Sequence, residues 1–356
     1  MKLHDSNYRG FASDNYAGAH PEILAALTEA NGGHQIAYGE DIYTAELQKA
    51  MKSHFGQQAE TFPVFNGTGA NVTALTSVMP RWGAVISTST AHIHTDEGGA
   101  PERISGLKLL TVDSPDGKLT PALIETQAWG WGDEHRAQPA AVSITQTTEV
   151  GTLYSVAEVR AIAEYVHARG MVLHMDGARI SNAAAALGVP LGEFTTDAGV
   201  DILSFGGTKN GMLYGEAIVV IDPAKSDGLI FLRKLNMQLA SKMRFVSAQV
   251  LALLEDDLYL RSASHSNEMA ARLRSALEAQ LSSGSIRKDA LRFSQPTDAN
   301  AVFAVLDNAA ADRIRERVRF YDWDRAGGEV RWMTAFDTTE ADVDNFVSVI
   351  TEELAR

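Results

Sequence analysis

Short apolar runs alternate with stretches of helical periodicity between residues 84 and 221, and this alternation constrains the fold more than any other feature. The clearest helical stretch, Val156–Ala168, has apolar residues at helix spacing, begins at a capping box formed by Ser155 and Glu158, and stops at Gly170. Strands that alternate with helices predict a mostly parallel sheet whose strand ends share one edge. The runs that we interpret as buried strands are Ala84–Ser87, Leu107–Val112, Ala141–Thr145, Met171–Met175, Asp201–Phe205 and Ala217–Ile221.

The pattern changes after Asp222-Pro223. An apolar stripe from Leu235 to Leu253 predicts one long helix that links two domains. The tail predicts an α+β unit with helices at 264–280, 309–318 and 340–354 and strands at Ala301–Leu306 and Val330–Thr334. We therefore expect an N-terminal segment over residues 1–40, a large α/β domain over 41–245 and a small C-terminal domain over 246–356.

Composition excludes several classes of function. The chain has 356 residues and a formal charge of −14, which argues against nucleic acid or an anionic membrane as the main partner. It has no cysteine, so disulfides and thiolate catalysis are excluded, and this fits a cytoplasmic protein. The first residues lack an apolar stretch and no long apolar run occurs, so we expect neither a signal peptide nor a membrane span.

Lys209 and Asp176 form the most informative pair of residues. Lys209 follows an apolar strand within the small-residue run Gly206-Gly207-Thr208, a setting that suits a bond with a carbonyl cofactor. Asp176 ends an earlier apolar strand, where it suits the partner of a pyridinium nitrogen. Pyridoxal phosphate needs these two groups from a protein, and together they predict an enzyme that uses this cofactor. Either residue alone would more often be a surface lysine or a turn.

A phosphate cup is predicted at Asn66-Gly67-Thr68-Gly69. This Gly-rich turn opens a helix, whose N-terminal amides and dipole favour an anion, and Thr68 adds a hydroxyl donor. By itself such a turn is more often a Gly-rich helix start without a ligand, and it gains weight only beside Lys209 and Asp176.

His92 is the candidate for stacking on the cofactor ring and for holding or passing a proton. It follows a strand and begins a polar run that includes His94 and Glu97. Two interpretations compete with this one. His92 and His94 could be a metal pair, but no further ligands follow at suitable spacing, so we expect no metal. Alternatively, both could be capping histidines.

Two arginines are candidates for the carboxylate of an amino-acid substrate, because a guanidinium binds a carboxylate through two hydrogen bonds. Arg179 comes three residues after Asp176, and Arg331 lies on a predicted strand of the small domain. The alternative for each is a surface ion pair.

Several motifs in one order resemble the low-specificity L-threonine aldolases, which are fold-type I, aspartate-aminotransferase-like pyridoxal phosphate enzymes near the β-eliminating lyases. The resemblance covers nearly the whole chain. The motifs are Ser13-Asp14-Asn15, Tyr38-Gly39-Glu40-Asp41, Gly67-Thr68-Gly69-Ala70-Asn71, His92 with Glu97-Gly98-Gly99, His174-Met175-Asp176-Gly177-Ala178-Arg179 and Lys209.

The resemblance implies an aldehyde-lyase that cleaves the Cα–Cβ bond of L-threonine, L-allo-threonine or a related β-hydroxy-α-amino acid to glycine and an aldehyde. It implies that Lys209 binds the cofactor, Asp176 faces the ring nitrogen and His92 stacks on the ring. Gly67 and Thr68 then bind the phosphate, with Arg179 also close to the cofactor. Ser13, Arg179 and Arg331 are the implied carboxylate ligands.

The resemblance also implies a homotetramer, a dimer of dimers, with active sites shared between subunits. The segment around Tyr38 is then expected to reach the neighbouring site and contact substrate there. One branch of the family has a second active-site histidine where this chain has Glu149. The base for the β-hydroxyl group is accordingly His92 or a water near Glu149 or Glu97.

Two other functions stay open from the sequence. The same scaffold could carry β-elimination or transamination, because the reaction depends on which substrate bond stands perpendicular to the ring. A non-catalytic binding protein of this fold is the other alternative, although it would not need both Lys209 and Asp176.

Overall fold

The computed structural model describes residues 3–355. Its larger unit is built on a seven-stranded sheet in the order β1-β7-β6-β5-β4-β2-β3. Five neighbouring strands run parallel, and β7 runs antiparallel to both β6 and β1, so the expectation of a mostly parallel sheet is confirmed. The strands are β1 Glu60–Val64, β2 Gly83–Thr88, β3 Lys108–Val112, β4 Gln138–Thr145, β5 Val172–Gly177, β6 Ile202–Gly206 and β7 Glu216–Val220.

Helices cover this sheet because the central strands are buried along their whole length and need apolar partners on both sides. In the described part of the chain, ten α-helices precede the small unit: α1 Pro21–Ala30, α2 Ile42–Phe55, α3 Gly67–Val78, α4 His92–Thr95, α5 Ala100–Ile104, α6 Pro121–Glu125, α7 Val156–His167, α8 Ile180–Leu187, α9 Leu229–Leu235 and α10 Arg244–Leu254. The expected capping box of Ser155 and Glu158 begins α7.

The smaller unit has a four-stranded antiparallel sheet with its own apolar core. Helix α11, of 26 residues, packs against α8 of the large unit and α13 of the small one, and so joins the two. The order in the sheet is β10-β11-β9-β8. Its elements are α11 Leu258–Ser283, β8 Leu291–Phe293, β9 Ala301–Leu306, α12 Asn308–Arg317, β10 Tyr321–Asp324, β11 Glu329–Met333 and α13 Glu340–Leu354.

The prediction of one long helix over the stripe from Leu235 to Leu253 is wrong. Helix α9 ends at Leu235, and α10 begins only at Arg244. Between them Gln238 accepts a hydrogen bond from the backbone N–H of Phe65 at 3.0 Å, and Asn236 donates to Thr73 Oγ1 at 3.1 Å. These polar contacts place the segment across the start of α3, which an unbroken helix could not do. The linking helix is α11 instead.

The N-terminal residues pack on the small unit. Phe11 stacks on Phe346 with ring centroids 4.3 Å apart, and its carbonyl accepts a hydrogen bond from the N–H of Met333. The chain then crosses to the large unit, where α1 packs against α10. This path carries residues 13–15 past the junction of the two units, next to the site described below.

Candidate active site

The carboxyl ends of β2, β5 and β6 meet at one edge of the large sheet, where parallel strands place their following residues together. A cavity of about 320 Å³ opens there, a volume within the usual range for small-molecule sites. Lys209, Asp176 and His92 all line it, although they lie far apart in the chain. The cavity is also lined by Asn15, Phe65, Asn66, Gly67, Thr68, Ala70, Ala178, Ser204, Phe205, Gly206, Thr208, Tyr214 and Glu216.

Lys209 lies in a short 3₁₀ turn, Thr208–Asn210, directly after β6. Glycine at 206 is required, because a Cβ there would come within 2.6 Å of the backbone of Ala178. This close approach brings the end of β6 beside the residues that follow Asp176. Burial lowers the pKa of Lys209, and the nearby charge of Arg179 lowers it further, so its amine is primed for nucleophilic attack on a carbonyl.

Asp176 is held at the end of β5 by two donors. Its Oδ1 accepts from the backbone N–H of Ala178 at 3.0 Å, and its Oδ2 accepts from Asn71 Nδ2 at 2.8 Å. The side chain is buried in the floor of the cavity. A carboxylate fixed in this way can face a protonated ring nitrogen.

The cup predicted for a phosphate is the N-terminus of α3. Asn66 caps this helix by accepting from the N–H of Gly69 at 2.8 Å, which leaves the first amides of the helix for another acceptor. A Cβ at Gly67 would meet no atom within 4 Å, so space remains beside the turn. The residues and the open volume therefore fit a phosphate group.

His92 begins the short helix α4 and lines the cavity. Its Nδ1 lies 3.0 Å from Glu97 Oε1, and this hydrogen bond raises the pKa of His92 against the opposing effect of burial. The nitrogen Nε2 is left for a ligand. His94 is exposed on the same short helix.

Glu149 lies behind His92 and is not among the residues that line the cavity. Its Oε1 accepts from the backbone N–H of His92 at 2.9 Å and from Thr145 Oγ1 at 2.8 Å. Its Oε2 is buried without a hydrogen-bond partner within residues 3–355. Burial raises the pKa of Glu149.

The two candidate arginines differ in their partners. Arg179 donates from Nε to Asp14 at 2.7 Å and from Nη2 to the same carboxylate at 2.9 Å, which leaves Nη1 for a ligand. Arg331, on β11, is partly buried, and its buried Nε has no hydrogen-bond partner in the described part of the chain. Burial, reinforced by the charge of Arg179, lowers the pKa of Arg331 to about 10. The two guanidinium groups therefore lie close enough to interact.

Ser13 and Tyr38 are not among the residues that line the cavity around Lys209, which we call the lysine cavity. Ser13 caps the turn Asp14–Tyr16 by accepting from the N–H of Asn15 at 3.2 Å, and it lines a second, larger cavity near the N-terminal segment. Tyr38 is exposed, with a φ of 61°, and its N–H donates to the carbonyl of Ser241.

Sequence reasoning missed two polar residues of the site. Asn71 bridges Glu97 and Asp176 from the buried face of α3. Glu216 opens β7 and accepts from the N–H of Gly207 at 2.6 Å, and burial raises its pKa to about 7. Asn71 belongs to the Gly-rich motif, so a helical wheel of that motif could have indicated it. Nothing in the sequence indicates that Glu216 belongs to the site, because a glutamate at a strand start is usually exposed.

This fold and this constellation define a pyridoxal phosphate-dependent enzyme of fold type I. The family model of the β-eliminating lyases matches residues 10–307. The chain belongs to this family. It is 45% identical over 335 residues to a low specificity L-threonine aldolase from Pseudomonas sp., with 94% of each chain covered. It is also 29% identical to a low specificity L-threonine aldolase from Escherichia coli, over 51% of this chain and 54% of that protein.

Solved structures agree with the fold. A threonine aldolase from Leishmania major superposes with a TM-score of 0.89 at 30% identity, covering 97% of this chain and 99% of the other. A NifS-like protein superposes with a TM-score of 0.71 at 18% identity, covering 98% of this chain and 99% of the other, which extends the likeness in fold alone.

Proposed function

We propose that this protein is an aldehyde-lyase that cleaves the Cα–Cβ bond of L-threonine, L-allo-threonine or a related β-hydroxy-α-amino acid, giving glycine and an aldehyde. The observation that carries the proposal is the single cavity shared by Lys209, Asp176 and His92 beside the open N-terminus of α3. Relatives that match almost the whole chain have the name of this activity.

The cavity has a group for each part of pyridoxal phosphate. Lys209 would hold its carbonyl carbon, Asp176 its ring nitrogen, and the amides of Gly67 and Thr68 its phosphate. When bound, the cofactor supplies a ring that accepts the electrons of the broken substrate bond.

Arg331 and Arg179 are suited to hold the substrate carboxylate. The charge of Arg179 is largely compensated by Asp14, whereas Arg331 is partly buried and has no ion-pair partner in residues 3–355. A guanidinium whose Nε has no hydrogen-bond partner is suited to bind the carboxylate of a ligand. Ser13 lies next to Asp14 and could add a hydroxyl donor after a small rearrangement of its turn.

His92 is placed to accept the β-hydroxyl proton of the substrate at Nε2. Its Nδ1 is already engaged with Glu97, so the other nitrogen is the basic one when the ring is neutral. Glu149 then supports His92 through the backbone and takes no proton directly from substrate.

We further propose a homotetramer, a dimer of dimers, in which Tyr38 serves the site of a neighbouring subunit. Tyr38 is 49% exposed and absent from the lysine cavity of its own chain. Large apolar side chains are exposed close to it in sequence and on the segment after β7, as a buried contact between copies would require. They are Ile36, Ile42, Ile230, Phe231, Leu235 and Met237.

The residues that line the cavity also favour a shared site. Among those that the structure describes, the charged or titratable ones are His92, Asp176, Lys209, Tyr214 and Glu216. Once Lys209 is engaged, none of them offers a fixed positive charge to a phosphate. A cation from a second copy would balance it.

No helix in the described part of the chain is long and apolar enough to cross a bilayer. A cytoplasmic location stays a proposal, which the absence of cysteine supports.

The proposal is tested with Lys209→Ala and a matched surface control, Lys49→Ala, whose exposed ammonium pairs with Glu46. We expect the wild type and the control to have visible cofactor absorbance and to release aldehyde from L-threonine. Lys209→Ala should lose both. Multiple turnover by Lys209→Ala at the wild-type rate would refute the assignment.

A further inference from the structure

A buried chain of hydrogen bonds connects the group that the proposed function places at the ring nitrogen with the group that it places at the substrate hydroxyl. It runs from Asp176 through Asn71 and Glu97 to His92. Of the two middle residues, Asn71 has no role in the function described above and Glu97 enters it only as the partner of His92 Nδ1; both are almost wholly buried.

Asn71 uses one nitrogen for both carboxylates. Its Nδ2 donates one hydrogen to Glu97 Oε1 at 2.8 Å and the other to Asp176 Oδ2 at 2.8 Å. The amide cannot be reversed, since its oxygen would then face two carboxylates without a hydrogen to share. Asn71 therefore fixes the separation of the two acidic side chains.

Glu97 determines which nitrogen of His92 has a proton. The Glu97 side chain is fully buried, and its Oε1 lies 3.0 Å from His92 Nδ1. A carboxylate accepts and does not donate, so Nδ1 of His92 must have the hydrogen. In the neutral ring Nε2 is then the acceptor, which is the nitrogen required to take a proton from substrate.

We propose that Asn71 and Glu97 form a positioning pair that fixes the tautomer of His92 and the orientation of Asp176. Neither residue touches substrate. The pair acts through His92 and Asp176, and the catalytic part of this inference rests on the proposed aldolase function.

The first test follows the His92 ring by NMR with isotope-labelled histidine in the cofactor-bound enzyme, with a His92→Asn variant to assign the signal. In Glu97→Gln the titration midpoint of His92 should fall by about 1 pH unit or more, because the carboxylate that favours the charged ring is gone. The control is Asp96→Asn, which removes an exposed carboxylate one residue away and should leave the midpoint unchanged.

The second readout is the pH dependence of aldehyde release. The acidic limb of the profile should move to lower pH in Glu97→Gln with the His92 midpoint, and kcat should fall by about 10²-fold or less. A fall in kcat with an unmoved midpoint would mean that Glu97 is only structural, and would overturn the proposal.

Asn71→Ala tests the other part of the proposal, the orientation of Asp176. It also replaces the first test if Glu97→Gln does not fold. It should change the visible absorption of the bound cofactor through Asp176 and also shift the His92 midpoint through Glu97, whereas Asn71→Asp should be worse because it brings three carboxylates together. An unchanged spectrum and midpoint in folded Asn71→Ala would refute the pair. If the midpoints move as expected but no β-hydroxy amino acid is cleaved, the pair stands and the proposed function fails.

Discussion

Asp176 is the residue whose charge the proposed chemistry needs most, because a carboxylate at the ring nitrogen keeps that nitrogen protonated. Asp176→Asn retains the shape but removes the charge, so the ring accepts electrons less well. We expect kcat to fall by a much larger factor than cofactor affinity. Steady-state kinetics at saturating cofactor, together with a cofactor titration, measure the two effects. Equal kinetics for the variant and the wild type would show that Asp176 has another role.

Glu149 should modulate His92 without being essential. Burial raises the pKa of Glu149, and its Oε2 has no hydrogen-bond partner within the described chain. The neutral amide of glutamine can therefore replace this carboxyl group. Glu149→Gln should lower turnover by about 10²-fold or less and leave the cofactor spectrum unchanged. The measurement is kcat with an absorption scan. A spectrum like that of Lys209→Ala would instead assign Glu149 to the cofactor.

Glu216 should make the cofactor-free protein less stable as pH rises. Its pKa is raised from 4.5 to about 7 by burial, so its stabilising contribution is complete below about pH 4.5 and is lost as pH rises through 7. Urea unfolding at pH 5 and pH 8 measures this. The free energy of unfolding should fall more in wild type than in Glu216→Gln, by at most about 3 kcal/mol. An identical pH dependence would contradict the raised pKa.

Single residues were predictable where their chemistry is distinctive. Lys209, Asp176 and His92 lie at or just after the ends of strands that share one edge, so sequence order and topology suffice to bring them together. The partner of Arg179 was not predictable, because Asp14 is 165 positions away and reaches it only through the packing of the N-terminal segment. Asn71 was missed because an amide in a helix start is usually only part of a turn.

Among the elements, helix α3 should be sensitive to substitution in its first turn, which we expect to change both stability and cofactor binding. Asn66→Ala removes the cap on Gly69 and should cost about 1 kcal/mol of stability, and it should also weaken cofactor binding because Asn66 lines the cup. Ser155→Ala removes the matching cap of α7, remote from the cavity, and should cost a similar amount without changing cofactor affinity. Thermal unfolding and cofactor titration of both variants compare the two caps. Equal cofactor affinities would argue against the cup.

The elements that periodicity alone determines were predicted closely. Strand β9 and helix α13 have the expected bounds, and the six expected strands of the large sheet lie within a few residues of their runs. The segment between α9 and α10 could not be predicted, because its apolar spacing is helical and only the contacts of Asn236 and Gln238 with α3 and its preceding loop override it. Local pattern has no information about such distant partners.

At the scale of the whole molecule, the shared site makes a prediction about mixtures of subunits. Lys209→Ala and Tyr38→Ala should each be inactive alone, for different reasons. After reversible dissociation and mixing, hybrid pairs should regain some activity, because one of their two sites contains both wild-type residues. The measurement is aldehyde release before and after mixing, with subunit exchange followed by mass.

One control mixture and one contradicting outcome make the complementation experiment decisive. Mixing Lys209→Ala with Asp176→Asn should restore nothing, since we place both residues in the same subunit's site. Complete exchange of Lys209→Ala with an inactive Tyr38→Ala and no recovered activity would place Tyr38 in its own subunit's site and exclude the shared arrangement.

The central claim, cleavage between Cα and Cβ, is tested most directly by the products formed from a panel of β-hydroxy-α-amino acids with the cofactor-bound enzyme. We predict that L-threonine or a related member of the panel gives glycine and its aldehyde in equal amounts, without ammonia. Ammonia with a keto acid, and no glycine from any member of the panel, would contradict the account and assign the site to elimination.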